Sequence, residues 1–570
     1  MQILCSRGIY NVPSNQFISF SILASTAQAA PETRLVLQIT VDQLRGDLPW
    51  RHMDQFGKGG FRYLADKGVW YTNATYQHAN TETIVGHTSL ATGTVPAVHG
   101  MVGNIWFDRA SHELIYNIED PRYALLSANA DVDDNNEIDP TQRVATTDGR
   151  SPRALLSSSF SDELAARYGG ASKIFGVSIK DRGAEPLAGR NGKAFWFSKA
   201  AGEFVTSNYY YDAYPQWVVD WNASGKVDAY ANRSWTLSNP KDNYQLLSAD
   251  DSEWETNFPG YGRSFPHAWG ERSSKYFTTL LTVSPAGDEL TLDFAKALVN
   301  TEGLGEDAVT DYLSISFSST DYVGHLFGSS SLEMEDNLLQ LDRRLAELFA
   351  FIDEKVGLKH TLIVLSADHG GPEAPGYLRS LGDDVEHVDP THFDAATLNV
   401  GLRQKLGLTH DLVQTFFTPY IYLDQKLIAE LGLDLSDVQR VVAKMVMQRP
   451  EVFSAYTAED ISTGQLPDTP MARMAAANYQ PLRSGDVHIE FGSQEFIADF
   501  DGLNVAATHG SALYYDRHVP VVFAGSNLRP ARISRAVTPY DIAATLANRL
   551  KIEAPSGSIG KVLPEVSTTK

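Results

Sequence analysis

Cysteine is almost absent from this chain, with Cys5 the only one in 570 residues. An internal disulfide is therefore excluded, and beyond the first thirty residues no thiolate exists to bind a metal or act as a nucleophile. Any metal ligands must come from His, Asp and Glu. Positive charge is scarce as well: 47 Lys and Arg stand against 70 Asp and Glu, for a formal net charge of -23. That balance argues against a nucleic-acid polymer as partner, and an anionic substrate would need local positive charge, which bound divalent cations can supply. No apolar run after the N-terminus approaches the ~18 residues of a membrane helix, so stable membrane insertion is not expected. Internal repeats and low-complexity linkers are missing too, which excludes a solenoid and favours insertions packed on a core.

The composition that remains, 43% apolar and 21% charged, is that of a globular α/β protein. Its length exceeds what one growing core accommodates, so a large core carrying inserted substructures is expected. The short apolar stretch Phe17 to Ala24, followed by Ala27-Gln28-Ala29 and with Arg7 the only upstream charge, reads as a signal peptide over 1–29. It predicts a periplasmic or secreted product that has lost Cys5.

Apolar, β-rich runs at Leu35 to Val41, Ile174 to Ile179, Tyr312 to Phe317, Thr361 to Leu365 and Val519 to Phe523 predict buried strands of a mostly parallel sheet. Helical spacing of Leu338, Leu341, Leu345, Leu348 and Ile352 within Glu335 to Lys355, and a second pattern over Pro539 to Leu550, supply the covering helices. The expected fold class is α/β, a doubly wound, mostly parallel central sheet flanked by helices. Two stretches break the rhythm and read as cap-like insertions, 195–288 and 402–485, leaving 30–194, 289–401 and 486–570 as the catalytic core.

In such sheets ligands gather at the carboxyl ends of the strands. The polar residues there form a pattern: Asp42 after the first strand, Asp321 and His325 after another, Asp368 and His369 after the next, and His509 before the last. Three nitrogen or oxygen ligands per ion is what a catalytic metal site uses, since one position stays open, and six ligands make two sites. The segment Asn80-Thr-Glu-Thr83-Ile-Val-Gly86-His87 opens a helix at Thr83, whose hydroxyl lies at a positive helix end. Alone, such a Thr is an N-cap; beside two metals it becomes a nucleophile. The acidic loop Asp131 to Asp139 alternates oxygen ligands as calcium loops do, yet has Asn136 where the EF-hand turn needs Gly and Gln142 where a bidentate Glu belongs, and reads as a solvated loop.

These landmarks resemble the alkaline phosphatase superfamily, in the branch shared by type I phosphodiesterase/nucleotide pyrophosphatases and the PafA-type monoesterases. The motifs are Thr83-x-x-Gly86-His87, His99-Gly100 continuing to Asn104, Asp321-x-x-x-His325, Asp368-His369-Gly370, and His509-Gly510 followed by Asp516-x-x-Val-Pro520. The resemblance implies two zinc ions, one on Asp321, His325 and His509, the other on Asp42, Asp368 and His369 with Thr83. It implies an amide from Asn104 on a phosphate oxygen. Lys180-Asp-Arg182 is similar to the Lys-x-Arg element of the monoesterases, which meets the extra anionic oxygen of a monoester. The implied activity is hydrolysis of small phosphate monoesters through a phosphothreonine at Thr83. A phosphodiesterase or nucleotide pyrophosphatase is the alternative, and a non-catalytic periplasmic phosphate or glycan binder on the same fold a third reading. The sulfatase branch lacks its Cys or Ser motif here. The physiological substrate and the oligomeric state stay open.

Overall fold

The computed structural model describes residues 33–500 and 502–567, so the expected signal peptide at 1–29 and Cys5 lie outside the described residues. The sequence Leu-Val-Leu-Gln-Ile-Thr-Val over Leu35–Val41 forms β1, buried at every position, as a strand covered on both faces must be. The remaining strands of its sheet are β2 (Val69–Thr75), β3 (Ile174–Ser178), β4 (Lys193–Ser198), β5 (Glu203–Val205), β6 (Asp311–Phe317), β7 (Thr361–Ser366), β8 (His518–Gly525) and β9 (Ala531–Ile533). Their order is β9-β2-β8-β7-β1-β6-β3-β4-β5. From β7 through β4 every pairing is parallel, whereas β8 runs antiparallel to both β7 and β2.

Alternate side chains of β1 serve two cores, because successive residues of a strand point to opposite faces. Leu35, Leu37, Ile39 and Val41 pack into one cluster, while Val36 joins the other. Five helices matter for the site: α1 (Thr83–Thr92), α2 (Asp181–Ala188), α3 (Ser319–Phe327), α4 (Leu332–Lys355) and α5 (Asp541–Leu550). Helix α4 buries Leu338, Leu341, Leu345, Leu348 and Ile352 along one stripe and starts three residues before the predicted Glu335, where the Ser331 side chain accepts from Met334 N. Helix α5 buries Ile542, Ala543 and Leu546 in the opposite cluster. Helices on both faces make the doubly wound arrangement that the alternating pattern predicts.

The stretch from 195 opens on sheet strands, since Phe175 to Ser178 pair with Lys193 to Trp196; its later aromatics, among them Trp221, Trp235 and Trp269, pack into the larger core. A second sheet of four antiparallel strands, Val413–Phe417, Tyr420–Leu423, Val452–Thr457 and Val487–Phe491, has its own buried cluster from Val388 to Phe491. It meets the core where Tyr420 and Tyr422 pack with Ile84, Met101 and Trp106.

Candidate active site

The six predicted ligands come together at one sheet edge. Asp42 follows β1, and Asp321 and His325 sit one turn apart on α3, so both side chains project from one face. Asp368 and His369 follow β7. His509 precedes β8, and the antiparallel run of that strand brings its amino end to the edge where the parallel strands finish. Two trios result, Asp321/His325/His509 and Asp42/Asp368/His369, each with its ligand atoms within 4.8 Å of one another.

The geometry suits a cation. The Nε2 atoms of His325 and His509 each stand 3.3 Å from Asp321 Oδ1, and His369 Nε2 lies 3.4 Å from Asp42 Oδ1 and 3.3 Å from Asp368 Oδ2. Neighbouring ligands of a tetrahedral ion at ~2.0–2.1 Å stand about 3.3 Å apart. All three histidines donate Nδ1–H to a backbone carbonyl, His325 to Ala507 and His509 to Thr81 at 2.8 Å, His369 to Gly370 at 2.9 Å. That fixes the tautomer with a lone pair on Nε2, as metal-binding histidines need. Asp42 Oδ1, Asp321 Oδ1, Asp368 Oδ2 and His369 Nε2 are buried and make no hydrogen bond, although buried polar atoms almost always find partners. Burial, then the Asp368 charge, pushes the Asp42 carboxyl well above its usual value. Burial lowers His369 to about 3 and also lowers His509. The residues present fit a divalent ion in each trio.

Thr83 is the first residue of α1, with Glu82 extended before it at the N-cap. Helix α1 reaches the second trio only because residue 86 is glycine: a Cβ there would stand 2.0 Å from the Asp368 carbonyl oxygen. The next residue, His87, binds the two pieces together. Its Nδ1 lies 2.9 Å from Thr83 O and 3.1 Å from Asp368 Oδ2, and its Nε2 lies 2.8 Å from Ser316 Oγ on β6. Asn104 accepts Ile84 N–H on Oδ1 at 3.1 Å and donates its own N–H to Glu82 Oε2 at 2.6 Å. With Oδ1 committed to the helix, the amide NH2 is the end available to an oxygen in the cavity that Asn104 lines. Burial raises Glu82 to about 7.

Lys180 and Arg182 flank the start of α2 and meet different partners. Lys180 Nζ is buried and bridges the trios, 2.5 Å from Asp321 Oδ2 and 2.7 Å from Asp42 Oδ2. Burial raises the Asp321 carboxyl, but the Lys180 ammonium, then His325 and the contacts from His325 and His509, together hold it well below the usual carboxylate range. Arg182 lines the cavity and is held by Asp139, itself a lining residue, whose Oδ2 lies at 2.5 Å. Gln142, with its amide oriented to donate to Glu137 Oε2, accepts from Arg182 Nη1, both at 3.0 Å. Glu137 in turn binds Lys199 at 2.5 Å. The acidic loop is therefore partly not a solvated one: Glu137 and Asp139 are buried and committed to cations. Among the described residues the groups able to hold an ion are the two trios.

Asp516 braces the His509 loop, its Oδ2 accepting from Gly510 N, Ser511 N and Ser511 Oγ, while its backbone oxygen accepts from Gly370 N. Sequence reading assigned no role to His87, Glu82, Asp139 or Asp516. The first two adjoin or belong to the Thr83 motif, and that adjacency was the available signal. Asp139 had none, lying 43 residues from Arg182. Above these groups opens a cavity of about 390 Å³, with Thr83, Asn104, Arg182, Asp321, His325 and His509 on its floor.

Comparison with known proteins agrees with this geometry. The chain is 32% identical to the alkaline phosphatase PafA of Elizabethkingia meningoseptica, over 96% of this chain and 97% of that one. It is also 32% identical to a Myroides odoratus protein named calcium-transporting ATPase, over 96% and 97% of the two chains. The crystal structure of PafA superposes with a TM-score of 0.85 at 31% identity, covering 95% of this chain and all of that one. PafA has also been solved as a variant substituted at a threonine, an asparagine, a lysine and an arginine, whose separations along the chain match those of Thr83 from Asn104 and of Lys180 from Arg182. Residues 36–511 match the type I phosphodiesterase / nucleotide pyrophosphatase family, and the chain belongs to that family, with the alkaline phosphatase superfamily fold.

Proposed function

We propose that the chain is a phosphomonoesterase, an alkaline phosphatase, with a divalent ion in each trio and Thr83 as nucleophile. The observation that carries this reading is the quartet Thr83, Asn104, Lys180 and Arg182. It repeats the four residue types substituted together in PafA, with the same separation within the Thr–Asn pair and within the Lys–Arg pair, and three of its members line one cavity with the first trio. When bound, the ions act as Lewis acids that favour the alkoxide of a hydroxyl and stabilise a leaving oxygen. Zinc suits these His and carboxylate sets, with manganese and cobalt accepted by the same donors.

In this reading Thr83 Oγ attacks phosphorus in line: its bond to phosphorus forms as the bond to the ester oxygen breaks, and the leaving group departs as the alcohol. Water then hydrolyses the phosphothreonine, releasing inorganic phosphate and restoring the hydroxyl. Asn104 and Arg182 meet the non-bridging oxygens, where preorganised donors are worth most. A monoester presents one more anionic oxygen than a diester, so the forked guanidinium of Arg182 favours it. Lys180 acts through Asp42 and Asp321, fixing one carboxylate of each trio. Substrates are small phosphomonoesters. The leader read at 1–29 would export the product to the periplasm or beyond, and no helix among the described residues is long and apolar enough to cross a membrane.

Hydrolysis of an aryl phosphate monoester and its matched methyl diester, by wild type and Arg182→Ala, tests the reading. The expected result is a monoester preference that drops by about 10²-fold or more in the variant, with the diester rate little changed. Diester preference indifferent to the substitution would instead assign the diesterase activity for which the family is named.

A further inference from the structure

The cavity over the reaction centre has two unlike halves. Its floor carries the polar groups described above, whereas its upper wall is built largely from Phe416, Phe417, Phe491, Phe496, Phe500 and Leu503. Phe416, Phe417, Phe500 and Leu503 are only partly buried although they belong to ordered strands of the cap and of a small hairpin. The wall is held from behind: the fully buried Phe393 packs on Phe416 and Phe491, ring centroids 5.4 and 5.2 Å apart. It begins at the metal-binding trio itself, since the Phe500 ring meets His325 edge-on at 5.0 Å.

Charge on this wall is of one sign. Asp394, Glu490, Glu495 and Asp499 border the cavity, and the only Lys or Arg among its described lining residues is Arg182, already paired with Asp139. An anionic group on the far side of a substrate would meet carboxylates and apolar rings with no cation to receive it, which is costly in a partly dehydrated site. An apolar group would cover the exposed rings and be stabilised by leaving water.

Building on the phosphomonoesterase reading, we infer that the upper half of the cavity is a leaving-group site for apolar or aromatic alcohols. It selects monoesters of such alcohols and discriminates against leaving groups that carry further anionic charge, nucleoside di- and triphosphates included. The floor handles the phosphoryl group common to all monoesters, and the phenylalanine wall sets which alcohol is preferred.

The test is kcat/KM of the zinc-loaded, full-length mature enzyme on ethyl, hexyl, 2-phenylethyl and 5-carboxypentyl phosphate. These alcohols have closely similar acidity, so intrinsic leaving-group reactivity is held nearly constant. Each buried methylene is worth roughly fourfold, and incomplete coverage still predicts hexyl and 2-phenylethyl phosphate about tenfold or more above ethyl phosphate, mostly through KM. The 5-carboxypentyl ester should fall back to the ethyl level or below it. Phe416→Ser and Phe496→Ser should each reduce the hexyl-to-ethyl ratio of kcat/KM at least ~3-fold. Brisk wild-type turnover of all four esters at similar kcat/KM would overturn the inference while leaving the phosphatase reading intact, whether or not the variants fold. Absence of turnover on every monoester would instead remove the phosphatase reading, and this inference with it.

Discussion

Asp139 and Arg182, 43 residues apart in the chain, meet at 2.5 Å in a buried ion pair in the wall of the cavity. Arg182 thereby holds its guanidinium toward the reaction centre without being free to fold back. Asp139→Asn should lower monoesterase kcat/KM about 10- to 100-fold, because a loosely held guanidinium meets the phosphoryl oxygens less often. The diester rate should change little, and a purely structural role for Asp139 would lower both alike.

The same pair makes a stability prediction with a definite sign. Burial raises the Asp139 carboxyl, but Arg182, then Lys199 and Lys180, outweigh it and hold it well below the usual carboxylate range. A depressed carboxyl contributes stability that is present above its unfolded pKa of about 4 and lost as pH falls through the folded value. Denaturant unfolding should therefore show Asp139→Asn destabilised by about 3 kcal/mol at pH 7, with the gap narrowing below pH about 4.

Gly86→Ala tests the approach of α1 to the loop after β7. The added methyl has the Asp368 carbonyl at 2.0 Å, backbone that cannot rotate away, so helix and loop must separate. Thermal unfolding should show a loss of about 1–3 kcal/mol, and turnover should fall by about 10²-fold because Thr83 moves with the helix. Wild-type turnover in this variant would show that the spacing of Thr83 from the second trio is not critical.

Each trio should hold its own ion. Metal analysis after dialysis in zinc buffer should give two ions per chain for the wild type and about one for His509→Ala or Asp368→Ala. Chelation should lower Tm, since an ion bound only by the folded chain stabilises it by mass action. An unchanged metal content in both variants would mean that the trios are not the ligand sets.

Much of this candidate site was legible because its candidate ligands are tied to strand ends. The β-rich, largely apolar runs of β1, β6 and β7 mark where the sheet stops, and Asp42, Asp321 and Asp368 follow within a few residues. The Thr83 motif was readable as a helix start, which α1 confirms. Partners brought together from distant segments were not readable: periodicity reports which face is buried and carries nothing about which loop comes to lie against Arg182. For the same reason the sequence could not show that Lys180 Nζ lies between Asp42 and Asp321. The strand Lys193–Ser198 was read as the edge of an insertion because its Ala-Phe-Trp-Phe core runs into a Trp- and Tyr-rich stretch, and only pairing with β3 gives it away. In the second sheet Val413–Phe417 and Val452–Thr457 are only partly buried, which weakens their pattern.

The central claim is that Thr83 carries the phosphoryl group between substrate and water, and the stereochemical course at phosphorus tests it most directly. A phosphorothioate monoester made chiral at phosphorus by its sulfur and two oxygen isotopes, turned over in water of the third isotope, should give chiral thiophosphate with net retention, because two in-line displacements each invert the centre. Thr83→Ala should abolish that turnover while keeping both ions bound. Net inversion by the wild-type enzyme would mean a single direct attack by water and would contradict the account.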